Sequence, residues 1–399
     1  MSDRISVVIP TRNRAHLLAA TLDCILSQSF PPSEVIVVDD GCTDATAELL
    51  DAYASEKVRH IRLEHSGHLV ARNVGLKAAR SELVAFCDSD DLWRPSFLET
   101  ANRLWRRAPD LTVSYSNFSI VRNGVWARTT KFHDAPAGFW DDLTWIGHDL
   151  GRIDRSLTER LIEFQPFFPS GMVVHRRRFI DIGGWDEGVD RVVGSDFATA
   201  LRAAAHLPVG IMRQPLVGIR KHAENLSGDT EKMNLGNARV LEHVLATRPE
   251  MAAFSHEIHA SIGHRRRDAL AAAFVRRDLA EVRRIYRLIP PGCRNPATRI
   301  KASVAALPAP VSARISGLAL WLGSAKASLM AMAAAKPWAK TARMQHPDAA
   351  HRRAHAKTWR VVVDFLVSDG TATMPHWTGA RRRADRIHID GLSVSKGSR

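Results

Sequence analysis

At 399 residues and 45% hydrophobic, the chain has ample material for a core and the length for two or three domains. Its four cysteines, Cys24, Cys42, Cys87 and Cys293, form no C-x-x-C pair and no zinc spacing, which argues against a secreted disulfide framework and fits a reduced cytoplasm. The net charge of +14 is unevenly placed: residues 291–399 hold 18 Lys and Arg against 5 Asp and Glu, while the preceding 290 are almost balanced.

In chain order, Ile5–Pro10 is a short β-branched run that reads as a strand, too short and too early for a signal-peptide core. Leu17, Leu18, Leu22, Ile25 and Leu26 then recur at helical spacing. Glu34–Asp40 is a second apolar strand and ends in two carboxylates. A helix over about residues 44–55, a strand near Val58–Leu63, a helix over about 69–79 and the strand Leu83–Cys87 follow. Continuous apolar strands alternating with helices predict a mostly parallel sheet covered on both faces. Ligands of such sheets bind beyond the carboxyl ends of the strands. The polar clusters at Thr11–Arg14, Asp39–Asp40 and Asp88–Asp91 fall there.

The segment Leu83–Pro95, LVAFCDSDDLWRP, is the sharpest of these signals. Asp88, Asp90 and Asp91 repel one another, and a divalent cation such as Mg²⁺ or Mn²⁺ is the usual reason for carboxylates to converge. The plainer alternative is a solvated turn with an aspartate capping the next helix. No G-x-G-x-x-G fingerprint follows the first strand, which weighs against a dinucleotide cofactor.

Seven segments occur in sequence: SVVIPTRNR, VIVVDDGCTDAT, GHLVARNVGLKAA, VAFCDSDDLWRP, GGWDE, GSDFATALR and RKHAENLS. In this order the chain resembles a family 2 glycosyltransferase with the GT-A fold, over roughly residues 5–226. The resemblance implies an α/β, Rossmann-like catalytic domain over 1–226 and inverting, metal-dependent transfer of a sugar from a nucleotide-diphosphate donor to a hydroxyl. The donor site would include Pro10, Thr11, Arg12, Asp39, Asp40, Arg72, Asp88 and Asp90. UDP-sugars are the favoured donors, with GDP- or dTDP-sugars as alternatives, and a glycan or lipid-linked molecule is the acceptor. Arg12 stands where the family often has a tyrosine against the base, although a guanidinium can also stack there. Arg72 would approach the diphosphate as a forked cation. Asp90, Asp91 and His222 are the implied metal ligands. Asp196 is the implied general base, with Ser195 standing where the family commonly has a second acid. A helix-capping aspartate is the competing reading for Asp196. Trp185, in the turn before it, could meet the acceptor or pack in the core.

Beyond the catalytic part, residues 227–290 read as a helical extension, with apolar stripes at Val240, Leu241, Val244 and Leu245 and again from Leu270 to Leu288; Pro290–Pro291 ends it. Residues 291–399 read as a basic region containing an Ala-rich stretch, 311–335, too short in its apolar runs to span a membrane and interrupted by Lys326. A helix lying on an anionic membrane surface, with the basic tail following, and a helix packed on the catalytic domain are both expected readings. The localisation expected is cytoplasmic, with a peripheral place at the inner face of the plasma membrane as the alternative. No dedicated nucleic-acid-binding motif is found. Two other functions stand beside sugar transfer: a noncatalytic, degenerate scaffold at a membrane, and a sugar nucleotidyltransferase, for which PTRNRAHL lacks the glycines of a phosphate loop.

Overall fold

The computed structural model describes residues 4–222 and 228–318. The first half alternates as expected: β1 (Ile5–Thr11), α1 (Ala15–Leu26), β2 (Glu34–Asp40), α2 (Thr46–Tyr53), β3 (Val58–Leu63), α3 (His68–Ala78) and β4 (Leu83–Phe86). Then come β5 (Leu92–Trp93), α4 (Phe97–Arg107), β6 (Val113–Arg122), β7 (Val125–Trp126), β8 (Leu143–Gly147), β9 (Leu150–Ile153) and α5 (Thr158–Glu163). The catalytic part closes with β10 (Met172–His175), α6 (Arg176–Asp181), α7 (Asp196–Ala205) and β11 (Val209–Arg220). Helices α8 (Thr230–Thr247), α9 (Ser255–Val275), α10 (Leu279–Leu288) and α11 (Pro296–Ala306) follow.

All eleven strands join one sheet in the order β3-β2-β1-β4-β10-β6-β11-β9-β8, with β5 on β11 and β7 on β6. The α/β, GT-A-type class is the observed one. Strands β3, β2, β1 and β4 pair in parallel. From β10 outward the sheet is mixed, because β10 runs antiparallel to both β4 and β6.

Alternate residues of each central strand face opposite sides, and both sides are apolar. Val8, Ile36 and Val38 pack under α3 and α7 with Phe179 and Phe197. Ile5, Val7, Ile9, Val35 and Val37 pack under α1 and α4 with Trp105. This two-faced burial is why the strands read as unbroken apolar runs.

The sheet therefore offers its strand ends, and not its faces, to a ligand. Helices α9, α10 and α11 share a smaller core around Leu270, Phe274, Val282, Ile285, Val304 and Ala305, so packed helical structure continues past residue 290. Residues 309–318 are also helical, and Ile315 packs on that core. Among the described residues no helix is long and apolar enough to cross a membrane. Of the Ala-rich stretch 311–335, residues 319–335 lie outside the described residues, as does the tail that follows.

Candidate active site

The carboxyl ends of β1, β2 and β4 bring the expected residues to one rim. Thr11 lies beside Asp39 across the β1–β2 ladder, behind Pro10, which is buried in the strand. Asp39 is fully buried. Its Oδ1 accepts from the Cys42 N–H at 2.6 Å, but Oδ2 has no hydrogen-bond partner; His60 Nε2 stands 3.6 Å away and Arg62 Nε 3.9 Å away. The Thr11 hydroxyl is buried without a partner too. Buried polar atoms are normally satisfied, so each orphan needs an explanation.

Asp40 is different. Its Oδ1 accepts from the Ser66 and Gly67 N–H groups at 2.6 and 3.1 Å, and His65 Nδ1 lies 3.0 Å from Oδ2. It holds the turn that leads into α3. Arg12 Nη1 donates to the Asp40 carbonyl at 2.8 Å, which leaves the rest of its exposed guanidinium at the rim. Asp44 joins two helix starts by accepting from Ala15 N–H at 3.1 Å and Thr46 N–H at 3.2 Å.

Arg72, on α3, is buried over the Trp185 ring, 4.7 Å from its centroid, and donates from Nη2 to Asp88 Oδ1. Its Nε and Nη1 donors have no partner. A buried guanidinium with two open donors is able to take the oxygens of an oxyanion. Trp185 is 2% exposed and packs edge-on to Phe86 at 5.0 Å. Its ring therefore props Arg72 from beneath.

The DSDD carboxylates separate by role. Asp88 pairs with Arg72. Asp91, expected as a metal ligand, is turned inward instead: Ser170 Oγ donates to its Oδ2 at 2.5 Å and Arg220 N–H to its Oδ1 at 3.2 Å. Burial, then the charges of Asp90 and Asp88, push its carboxyl well above the usual range. Asp90 faces the rim, with His222 Nε2 at 3.0 Å from Oδ2; their side chains are 21% and 17% exposed.

Among the described residues no three His, Cys, Asp or Glu side chains form a closed metal cage. A carboxylate and an imidazole side by side do fit a divalent cation that takes its other oxygens from water and a phosphate ligand. The rest of the RKHAENLS segment, residues 223–227, lies outside the described residues.

Asp196 opens α7 and is half-buried. Its carboxylate accepts no hydrogen bond from any described side chain. Burial raises its pKa to about 6, with Asp88 adding to the rise and Arg72 opposing it. Those two influences put it within electrostatic reach of the Arg72–Asp88 pair. The fully buried Tyr115 is also near Asp196, and its hydroxyl has no partner. Residues with no assigned role in the sequence reading complete the frame. Ser170 bridges Asp91 and the Asp88 N–H, and Arg220 grips the Asp90 carbonyl and, at 2.8 Å each, the Leu17 carbonyl and Thr21 hydroxyl. Arg220 opens the quoted RKHAENLS run, which was its only signal.

Fold and rim together define an α/β protein with a cluster of charged and polar side chains at its strand ends. Residues 6–178 match the model of glycosyl transferase family 2. Over 165 residues the chain is 41% identical to TuaG of Bacillus subtilis (strain 168), a glycosyltransferase named for teichuronic acid biosynthesis; the match covers 39% of this chain and 64% of TuaG. Over 120 residues it is 28% identical to WfgD of Escherichia coli, a UDP-Glc:alpha-D-GlcNAc-diphosphoundecaprenol beta-1,3-glucosyltransferase, covering 30% of this chain and 47% of WfgD. The chain thus spans less than two thirds of either relative. TarS 1–349 of S. aureus, solved with UDP-GlcNAc, shares the fold with a TM-score of 0.50 at 17% identity, over 75% of this chain and 88% of that one.

Proposed function

We propose that the chain is an inverting glycosyltransferase that moves a sugar from a nucleotide-diphosphate donor, with UDP favoured, to a hydroxyl of a glycan or lipid-linked acceptor. The observation that carries this reading is the set of buried, unpartnered polar atoms at the strand ends: Thr11 Oγ1, Asp39 Oδ2, and Nε and Nη1 of Arg72. An acceptor beside one strand end and a forked cation beside the next suit a base at one side and a diphosphate at the other. A uracil edge presents an N–H between two carbonyls. Asp39 Oδ2 takes the N–H, and His60 and Arg62 stand beside it to donate to a carbonyl. Guanine presents two adjacent donors and suits this arrangement less well.

Arg72 neutralises diphosphate oxygens while Trp185 and Asp88 hold its plane. Asp90 and His222 are the residues that would hold Mg²⁺ or Mn²⁺. When bound, the cation supplies Lewis-acid stabilisation of charge on the departing nucleoside diphosphate.

Asp196 takes the proton from the acceptor hydroxyl as that oxygen attacks the anomeric carbon. A carboxylate with its pKa raised to about 6 is a stronger base than a solvated one and is still ionised at neutral pH. One base and a departing diphosphate are sufficient for a single displacement, which inverts the anomeric centre. The substrates in WfgD's name support a UDP-sugar donor and a diphospholipid-linked acceptor for this reading. The basic composition of residues 291–399 supports an anionic membrane surface as a further partner.

Titration calorimetry with UDP-, GDP- and dTDP-sugars, each with Mn²⁺ and with chelator, tests the donor site. Metal-strengthened binding of the UDP-sugars is expected. Absence of binding by folded protein for every donor would favour the degenerate scaffold.

A further inference from the structure

The loop that carries the base is tied to the donor side by a string of three side chains. His68, the first residue of α3, lies with Nε2 2.9 Å from the Ser195 hydroxyl and Nδ1 3.3 Å from Asp190 Oδ1. Asp190 Oδ1 also accepts the Leu69 N–H at 3.1 Å. Ser195 immediately precedes Asp196. A neutral imidazole protonated on Nδ1 suits both contacts: Nδ1–H faces the Asp190 carboxylate, and Nε2 accepts the Ser195 hydroxyl proton.

Ser–His–Asp is also the constellation of an acyl-transfer triad. Here Ser195 is 1% exposed and its oxygen is occupied by the imidazole, so no substrate carbonyl can reach it. The serine has a different use. At a helix start, serine normally accepts an N–H of the first turn. Ser195 precedes α7 with helical backbone angles, φ -59° and ψ -25°, and makes no such bond; its hydroxyl meets His68 instead. The residue before Asp196 is thereby tied to α3.

The backbone is shaped for this contact. Gly67 has φ +108°, and a Cβ there would lie 1.4 Å from Asp190 Oδ2. On the loop's other side, Gly236 of α8 lets that helix approach so closely that a Cβ would sit 2.0 Å from the Val193 carbonyl oxygen. The turn before His68 is held by Asp40, at the end of β2. The end of β2 and the base thus share one hydrogen-bonded path.

We propose that Ser195, His68 and Asp190 are positioning residues that aim the Asp196 carboxylate at the acceptor hydroxyl. The inference rests on Asp196 being the base.

The test follows UDP release from UDP-glucose and UDP-GlcNAc by the full chain, with UDP affinity measured on the same samples. Ser195→Ala and His68→Ala should each lower kcat about 10- to 100-fold, the scale of an ångström-sized misplacement. Donor KM and UDP affinity should stay unchanged. The double variant should be no slower than either single one, and Ser195→Thr should recover most of the rate. In an Asp196→Asn background, Ser195→Ala should cost nothing further. Wild-type kcat in Ser195→Ala, beside an inactive Asp196→Asn, overturns the positioning role alone. Equal losses of kcat and UDP affinity also overturn it, since they mean a general loss of structure. Full turnover by Asp196→Asn removes the base itself, and the positioning role with it.

Discussion

Asp39 and Asp40 are neighbours in sequence with opposite surroundings. One carboxylate keeps a buried oxygen without a donor, while the other is used up by Ser66, Gly67 and His65. Asp39→Ala should weaken UDP binding about 10- to 100-fold, the range for losing a hydrogen bond to a charged group. Calorimetry checks this, and unchanged UDP affinity would remove Asp39 from the base site. Adjacency gave the sequence no means of choosing between the two, because the choice depends on which N–H groups the following turn brings round. The same limit applied to the DSDD cluster. That acids gather there was legible, but which of them Ser170 draws inward depends on residues 79 positions downstream. Trp185 was ambiguous for a similar reason, since only packing tells a core ring from an exposed platform.

The elements of the parallel half were the most legible, because β1, β2 and β4 are apolar runs separated by helical periods. α3 shows what the period conceals. Gly75 faces β1 so closely that a Cβ would sit 2.3 Å from Val8 Cγ1. Alanine is favoured over glycine in a helix by up to about 1 kcal/mol. Overpacking a core typically costs about 1–3 kcal/mol, so the clash should prevail. Gly75→Ala should therefore lower the Tm measured by calorimetry, and an unchanged or raised Tm would show that α3 can shift on the sheet at little cost. The antiparallel half was less legible. β10 inserts between β4 and β6, strands from well before it in the chain, and local periodicity carries no record of that pairing.

Across the whole molecule, Asp186 ties α7 to the segment after α8 by accepting from Arg202 at 3.1 Å and from Arg248. The helical extension is thereby fastened next to the base-bearing element, a connection that residue spacing could not reveal. Charge is the property read most directly from sequence. With 18 Lys and Arg against 5 Asp and Glu in residues 291–399, binding to anionic vesicles should weaken steeply as salt rises past about 0.15 M, where screening acts within ~8 Å. Salt-independent binding would remove the electrostatic basis of a membrane role.

The central claim is that a donor site and a carboxylate base meet at the strand ends, and UDP release by Asp196→Asn against wild type tests it most directly. With UDP affinity matched, the variant should be slower by about 10²- to 10⁴-fold, the usual contribution of a general base. Wild-type kcat/KM should fall as pH drops below about 6, where the carboxylate takes up its proton, and level off above. A variant that turns over at the wild-type rate, or a wild-type profile with no acid limb, would contradict the account.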